Sequence, residues 1–432
     1  MYTVALATLG CKVSQYETEA VKEAFLSRGF LAVEFSERAD VYVINTCTVT
    51  QESDRKCRQM IRRAIRKNPL AVVMVVGCYA QRSPDEVASI EGVSYVSGTN
   101  GKMRVPEEAE RLLTKREKKA VLAVTSLDGA PFEKMSVYGT PRTRAYLKIE
   151  DGCECKCTYC AIPSARGSVR SKAPFDVLEE IETLVAGGTR EVVLTGIETA
   201  SYGADLNGYR LIDLLEEIDE KSTVERIRLG SLTPELMRED FVLRLSRLKK
   251  IVPHFHLSVQ SGSDGVLRRM KRRYNSRTAL EAIERLRAAM PTVRFTTDVM
   301  VGFPGESEQE FEETLAFVEK AHFLDMHVFA YSRRKGTEAD SYPDQVPEPI
   351  KKERSARLIT LASRLKNENL EDIVRQGVPL CVLFETKEGS GWHGHSDEFA
   401  PVSVSSEEDL HGEMRSVLPL SVSNGVILGR LI

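Results

Sequence analysis

Short β-branched, apolar runs alternate with polar, helix-like stretches along most of this chain of 432 residues. The first three runs are residues 3–9, 41–45 and 71–77. A helix between two successive strands favours parallel pairing, because the crossover returns the chain to the same edge of the sheet. The sequence therefore predicts a parallel α/β domain at the N-terminus, over residues 1–130.

The same alternation resumes after a charged stretch and a turn-rich linker, and it gives six further strand candidates: residues 145–149, 191–195, 226–229, 256–260, 294–301 and 327–332. Helical segments such as residues 176–186 and 308–320 fall between them. Six strand–helix repeats predict a partial parallel (β/α)6 barrel over residues 140–367. Beyond residue 370, short strands separated by Gly and Asp turns predict a small all-β module over residues 370–432.

Composition argues for a folded chain that does not enter a membrane. Apolar residues make up 42% and charged residues 28%, as in ordinary globular proteins. The longest mainly apolar stretch, residues 70–80, is too short to span a bilayer. The first ten residues show no signal peptide, so we expect a cytoplasmic location. Nine cysteines in that compartment indicate metal binding or redox chemistry rather than disulfides.

Residues 151–160 (DGCECKCTYC) contain Cys153, Cys157 and Cys160 in a C-x3-C-x2-C spacing. Three thiolates on one tight loop can each bind a different iron of a [4Fe–4S] cube and leave the fourth iron open to a substrate. We call these three cysteines the loop site. The alternative is a closed zinc site that also uses Cys155. No second closely spaced cysteine pair follows, and active sites gather at this end of barrel strands, so iron–sulfur binding is favoured.

Cys11, Cys47 and Cys78 each follow one of the first three strand candidates. Their separations of 36 and 31 residues (47 − 11 and 78 − 47) correspond to one strand–helix unit each. The carboxyl ends of parallel strands meet at one edge, where open α/β sheets bind ligands. We call these cysteines the sheet-edge site and predict that they hold a second cluster with its own open iron. Cys57 and Cys381 are expected to be packing residues.

A helix-start signal follows each sheet-edge cysteine. A Ser or Thr followed three residues later by Glu or Gln, the spacing of a capping box, occurs at residues 14–17, 48–51 and 83–86. Ser14 is therefore predicted to cap the first helix, with Glu17 as the second member of the box. This places all three cysteines in the loops between strand and helix.

The loop site resembles that of the radical S-adenosylmethionine (SAM) enzymes, as do residues 187–188 (GG), 194–198 (LTGIE) and 297–306 (TDVMVGFPGE). With the sheet-edge cysteines and the terminal β module, the whole chain resembles a methylthiotransferase. Such a protein has an N-terminal cluster domain, a radical-SAM partial barrel and a C-terminal TRAM module. Residues 7–19 (ATLGCKVSQYETE) most resemble the branch that acts on N6-threonylcarbamoyladenosine at position 37 of tRNA.

The resemblance implies an enzyme with two [4Fe–4S] clusters and SAM, supplied by an electron donor such as flavodoxin or ferredoxin. The loop-site cluster would cleave SAM, and the resulting radical would remove hydrogen from C2 of the adenine. The sheet-edge cluster would carry the sulfur, and a second SAM would supply the methyl group. Residues at the ends of barrel strands are candidates to hold SAM: Tyr159, Gly196, Glu198, Ser231, Gln260 and Gly302.

Basic residues close to the loop site are candidates to bind the tRNA substrate: Arg166, Arg170 and Lys172, with further charge from Arg142 and Arg144. Two basic runs, residues 55–67 and 268–277, add to the cationic surface that the sequence predicts. Arg and Lys contacts to phosphate supply affinity with little reading of sequence. An anticodon loop is already single-stranded, so it presents a base at little unpairing cost.

The last module is acidic, with three Lys/Arg against eight Asp/Glu in residues 376–432, a net charge of −5 (3 − 8). Such a module suits a basic protein, so methylthiolation of a ribosomal-protein aspartate stays open as an alternative. A third hypothesis is a zinc-stabilised RNA-binding protein without catalysis. That hypothesis predicts one closed four-cysteine site and no role for the sheet-edge site.

Overall fold

The computed structural model describes residues 1–139 and 143–432. Its N-terminal part has six strands: β1 Thr3–Thr8, β2 Leu31–Val33, β3 Val41–Thr46, β4 Val72–Gly77, β5 Val93–Ser97 and β6 Val121–Ala123. They form one sheet in the order β2-β1-β3-β4-β5-β6, and every pair is parallel. Five helices accompany them: α1 Lys12–Ser27, α2 Gln51–Lys67, α3 Cys78–Arg82, α4 Pro84–Ala88 and α5 Val105–Thr114. The predicted parallel α/β fold is confirmed.

The central part has nine strands: β7 Arg144–Lys148, β8 Glu150–Asp151, β9 Arg170–Ser171, β10 Glu191–Thr195, β11 Arg226–Leu229, β12 Ser231–Leu232, β13 His254–Gln260, β14 Arg294–Val301 and β15 Asp325–Ala330. Parallel pairing runs in the orders β7-β10-β11 and β12-β13-β14-β15. Only Gly230 separates β11 from β12, so the two sheets share one bent strand. The result is six parallel strand positions, as in the predicted partial barrel.

Eight helices belong to this part: α6 Ile162–Arg166, α7 Pro174–Ala186, α8 Leu211–Lys221, α9 Glu239–Leu245, α10 Asp264–Arg269, α11 Ser276–Ala289, α12 Glu308–Ala321 and α13 Glu348–Gln376. The last helix continues six residues beyond the predicted end of helical structure. No described helix is both long and apolar enough to cross a membrane.

The C-terminal part is a closed antiparallel barrel with one parallel pair. Its strands are β16 Leu380–Glu388, β17 Gly391–Ser396, β18 Pro401–Ser405, β19 Met414–Ser423 and β20 Val426–Leu431. They close in the order β16-β17-β18-β20-β19, with β18 and β20 parallel. The predicted all-β module is confirmed.

Three acids of this module form ion pairs with arginines of the central barrel: Glu385 with Arg144 (2.5 Å), Asp397 with Arg226 (2.5 Å) and Glu413 with Arg190 (3.3 Å). The ring of Phe399 lies 4.9 Å from the guanidinium of Arg228 and stacks on His254. Three of the eight acids of the module therefore hold it against the barrel.

Helix α1 begins at Lys12, and Cys11 is its N-cap. Ser14 lies in the first turn, so the predicted capping box at Ser14 and Glu17 is wrong. The side chain of Glu17 is fully buried and pairs with cations instead. Thr50, two residues later than predicted, caps α2 by accepting a hydrogen bond from the Ser53 backbone N–H.

Helix α1 also joins the N-terminal sheet to the barrel. Tyr16 and Ala20 belong to the same hydrophobic core as the barrel strands. The Tyr16 hydroxyl donates to the Met135 carbonyl at 2.7 Å and contacts the Glu180 carboxylate of α7. Because these groups are buried, the two parts are packed tightly at the helix that follows Cys11.

Candidate metal centres

The three cysteines of the sheet-edge site lie at the carboxyl ends of β1, β3 and β4, which are neighbours in the sheet. Cys11 caps α1, Cys47 directly follows β3, and Cys78 is the first residue of α3. Burial raises the pKa of Cys78 to about 11, and the negative fields of Cys11 and Cys47 add to this rise. The fold thus places three cysteines that are far apart in sequence at one edge of the sheet.

Access to the sheet-edge site differs across its three cysteines. Cys78 is buried, Cys47 is half-buried and Cys11 is exposed. The side near Cys11 is therefore open. Cys57, predicted to be a packing residue, is buried, and its thiol donates to the Cys47 carbonyl at 3.4 Å.

A glycine with positive φ precedes Cys78. Gly77 has φ 96°, and a Cβ there would lie 2.5 Å from Asn45 Oδ1 and 2.6 Å from the Thr46 carbonyl oxygen. Side chains rarely adopt this backbone conformation, and no space is available for one. The turn that presents Cys78 therefore requires glycine.

The loop site lies between β8 and α6, at the carboxyl end of the first barrel strand. Gly152 has φ 97°, and a Cβ there would lie 2.0 Å from the Ser168 carbonyl oxygen. The Cys153 backbone N–H donates to the Gly167 carbonyl at 3.0 Å, and that of Cys160 donates to the Cys157 carbonyl at 3.1 Å. Local backbone bonds thus fix the loop.

Each thiol of the loop site accepts one N–H hydrogen bond at 3.4 Å: Cys153 from the Cys155 backbone, Cys160 from the Ile162 backbone and Cys157 from the Arg272 side chain. Hydrogen bonds to sulfur stabilise the thiolate and tune the potential of a bound cluster. The donor set and its surroundings therefore fit a [4Fe–4S] cluster that is bound by three cysteines.

A cavity of about 150 Å³ opens beside the loop site at the mouth of the barrel. Four of the residues predicted to hold SAM line it: Tyr159, Glu198, Ser231 and Gln260. Gln260 has φ 64°, which is rare for a residue other than glycine and is typical of functional sites. Burial raises the pKa of Glu198 to about 7, and the nearby Cys155 contributes.

Gly196 and Gly302, the other two residues predicted to hold SAM, do not line this cavity. Gly302 packs against α13, where a Cβ would lie 2.4 Å from Lys351 Cγ, and its N–H donates to Glu306. Gly196 packs against Glu150. Close contact with other protein groups explains why each position lacks a side chain, and a role of either glycine in holding SAM stays a prediction.

Sequence reasoning missed several polar residues at this cavity: Thr233, Ser258 and Arg272 line it, and Glu150 lies directly behind it. The carboxylate of Glu150 accepts the Glu198 backbone N–H at 2.8 Å. Positions 258 and 260 are two residues apart in β13, so the period of the strand would have placed Ser258 on the same face as Gln260. Arg272 lies within the basic run 268–277, whose charge alone indicates a cationic surface rather than a cavity wall.

The three basic residues predicted to bind tRNA are buried. Arg166 pairs with Glu17 and Asp151, Arg170 pairs with Asp151 at 3.2 Å, and Lys172 pairs with Glu180. Burial also lowers the pKa of Lys172 to about 8. The prediction that these residues contact phosphate is therefore corrected, because their charged groups are already paired with carboxylates. Arg142 lies outside the described residues.

The zinc alternative requires four cysteines around one ion. Among the described residues, one group has metal-ligand atoms within 4.8 Å of one another, and it consists of Cys153, Cys155 and Glu198. Cys157 and Cys160, the other two cysteines that a zinc site in this loop needs, do not belong to this group. A closed four-cysteine zinc site is therefore not formed in the described part of the chain.

The comparisons with known proteins agree with this geometry. The chain matches the radical SAM superfamily over residues 147–318 and the uncharacterised protein family UPF0004 over residues 3–98. It is similar to TsrM, a radical SAM methyltransferase from Kitasatospora setae, with a TM-score of 0.57 and 16% identity over 76% of this chain and 75% of TsrM. The parallel barrel and its three-cysteine loop thus define a radical SAM fold.

Two relatives are more similar in sequence. Threonylcarbamoyladenosine tRNA methylthiotransferase MtaB of Bacillus subtilis is 42% identical over 96% of this chain and 93% of the relative. tRNA-2-methylthio-N(6)-dimethylallyladenosine synthase of Carboxydothermus hydrogenoformans is 36% identical over 86% of this chain and 87% of the relative. The chain belongs to the radical SAM methylthiotransferases, a family of enzymes.

Proposed function

We propose that this chain adds a methylthio group to C2 of N6-threonylcarbamoyladenosine at position 37, in the anticodon loop of tRNA. The observation that carries the proposal is the presence of two separate three-cysteine sites in one chain. One site suits radical generation and the other suits delivery of sulfur, so a two-part reaction uses both. The relative that is named for this nucleoside is 42% identical, against 36% for the dimethylallyl relative.

Radical SAM enzymes use a [4Fe–4S] cluster and SAM, and in this chain the loop-site cysteines would hold that cluster. When bound, the cluster supplies the electron that cleaves SAM. The Ser231 hydroxyl and the Gln260 amide can hydrogen-bond the polar groups of SAM in the adjoining cavity. Tyr159 and Ile162 provide apolar surface beside them.

We further propose that the sheet-edge site holds a second [4Fe–4S] cluster. Its open side, at Cys11, is where a substrate can approach. Lys12, the next residue, is exposed and forms no ion pair or hydrogen bond with the described residues. The surrounding protein and the nearby cations Arg228 and Arg144 lower the pKa of Lys12. Its ammonium form suits a nucleoside substituent that ends in a carboxylate, as the threonylcarbamoyl group does.

The acidic C-terminal module does not favour the protein-substrate alternative. Three of its eight acids pair with barrel arginines, so they add little to the repulsion of an RNA backbone. The relatives reported above are named for tRNA nucleosides, which supports tRNA as the substrate of this chain. The ribosomal-protein aspartate is therefore the less supported substrate.

Three features stay predictions that accompany this proposal. We propose domain boundaries at residues 1–130, 140–367 and 370–432, with the last domain as a TRAM module. The electron donor is expected to be a flavodoxin or a ferredoxin. A cytoplasmic location is expected because tRNA and these donors are found there.

The test is an anaerobic reaction of the reconstituted protein with SAM, sulfide, a reductant and tRNA that carries N6-threonylcarbamoyladenosine. Mass spectrometry of the digested nucleosides should show the methylthio product. Matched tRNA that carries a dimethylallyl group should give much less product. Equal product from both tRNAs would contradict the nucleoside assignment, and product from neither would contradict the proposed reaction.

A further inference from the structure

Six buried ionic side chains join the N-terminal sheet to the barrel, and we call them the junction network: Glu17, Lys102, Lys148, Asp151, Arg166 and Arg170. The first two belong to the N-terminal part and the other four to the barrel. None is more than 7% exposed. The contacts are short, with Lys148 Nζ 2.8 Å from Glu17 and 2.7 Å from Asp151.

Arg166 lies at the centre of the junction network and is the largest fully buried side chain among the described residues. It ends α6, six residues after Cys160 of the loop site. Its two terminal nitrogens donate to Glu17, and one of them also contacts Asp151. These contacts fix the plane of the guanidinium and leave the Nε–H free for another acceptor.

That acceptor is a cysteine of the sheet-edge site. The Nε atom of Arg166 lies 3.3 Å from the Sγ atom of Cys78. A neutral thiol is a weak acceptor, whereas a thiolate accepts a charge-assisted hydrogen bond from a guanidinium. The junction network has four cationic side chains and two carboxylates, so it is rich in positive charge beside Cys78. Such surroundings suit a metal-bound thiolate.

We propose that Arg166 is a positioning residue that orients Cys78 and sets the reduction potential of the sheet-edge cluster. This inference rests on the second cluster of the proposed function. A positive donor at a ligating sulfur stabilises the more negative, reduced state of a cluster and so raises its potential. Because Arg166 is carried by the helix that follows the loop site, it also fixes one site relative to the other.

Arg272 provides a matched control at the loop site. Its guanidinium donates to the Cys157 thiol at 3.4 Å, as that of Arg166 does to Cys78. It also donates to the Ser258 carbonyl, within the barrel. Each arginine should therefore act on one cluster and leave the other unchanged.

The experiment uses the full chain in two backgrounds, each with all three cysteines of one site replaced by alanine. Iron that remains after reconstitution then belongs to the other site. In the background that retains the sheet-edge site, Arg166→Gln should lower the midpoint potential in an EPR-monitored titration. It should also speed the loss of iron to a chelator. Arg272→Gln should change neither the midpoint potential nor the loss of iron in that background. In the background that retains the loop site, Arg272→Gln should change both quantities and Arg166→Gln should change neither.

Removal of a buried charge can also prevent folding. The double variant Glu17→Gln/Arg166→Gln removes one charge of each sign and keeps the balance of the junction network, so it serves if the single variant is unfolded. A folded Arg166 variant with unchanged potential and unchanged iron retention would overturn the inference. If the background that retains the sheet-edge site binds no iron at all, the second cluster of the proposed function is wrong, and this inference is wrong with it.

Discussion

The loop site and the sheet-edge site both present three thiols, but the chain builds them in different ways. The loop site takes its cysteines from eight consecutive residues, and turns within that loop hold them. The sheet-edge site takes its cysteines from positions 11 to 78, and the pairing of β1, β3 and β4 brings them together. The first site depends on local backbone geometry. The second depends on the register of a sheet and on an arginine supplied by the barrel.

The two sites are expected to differ most in their effect on catalysis. Cys157→Ala should abolish SAM cleavage, because the loop-site cluster loses a ligand. Cys47→Ala should leave cleavage close to that of the unaltered protein and abolish sulfur insertion. Formation of 5′-deoxyadenosine and of the methylthio nucleoside measures the two steps separately. Full methylthio product from the Cys47 variant would remove the sheet-edge site from the reaction.

Glu17 should matter for stability more than Glu23, a half-buried acid of the same helix. Glu17→Gln leaves Arg166, Lys102 and Lys148 without their shared carboxylate, and breaking a buried ion pair in this way costs about 3–5 kcal/mol. Denaturant unfolding of the full chain measures the loss. Glu23→Gln, on the same helix, is the control and should change stability little. Equal stability of the two variants would show that the junction network contributes nothing.

Glu17 should also make the stability of the protein depend on pH. Burial alone raises the pKa of Glu17, but Arg166, Lys102 and Lys148 outweigh it and hold the pKa well below its usual range. A carboxyl with a depressed folded-state pKa stabilises the protein above its unfolded pKa of about 4.3 and loses that contribution as pH falls. Stability of the unaltered protein should therefore fall more steeply on acidification than that of Glu17→Gln. Parallel curves would contradict this assignment.

The glycines before Cys78 and Cys153 offer a matched pair of backbone substitutions. Gly77→Ala and Gly152→Ala each force a Cβ into a contact of 2.5 Å or less. Each should cost about 1–3 kcal/mol of backbone strain. Iron should be lost from the sheet-edge site in the first variant and from the loop site in the second. Loss from both sites in either variant would show that the two sites are not independent.

The smallest expected effect is at Cys155. Cys155→Ser should retain the loop-site iron and SAM cleavage, because the three-cysteine set does not include it. Iron analysis and the cleavage assay of the reconstituted variant measure this directly. Loss of bound metal would instead support a four-ligand centre that uses Cys155.

Sequence reasoning predicted the elements whose signals are local. The spacing of the loop-site cysteines identifies them directly, and the period of one cysteine per strand–helix unit predicted the sheet-edge site. Both predictions rest on patterns that can be read from the sequence without knowledge of tertiary contacts.

The wrong predictions concern residues whose partners are distant in sequence. Glu17 has the spacing of a capping box, but its partner Arg166 is 149 residues away. Arg166 itself was assigned to tRNA because it follows the loop site, and burial cannot be read from that position. The acidity of the C-terminal module leaves a protein substrate open as an alternative, because the pairing of Asp397 with Arg226, 171 residues away, cannot be read from the sequence. Charge patterns in sequence therefore need the fold before they can be assigned to a partner.

The most direct test of the central claim is the iron and sulfide content of the reconstituted protein and of the two triple-alanine backgrounds. Two independent [4Fe–4S] sites predict about eight irons per unaltered chain and about four in each background. About four irons in the unaltered chain, with none when the loop-site cysteines are replaced, would contradict a cluster at the sheet-edge site.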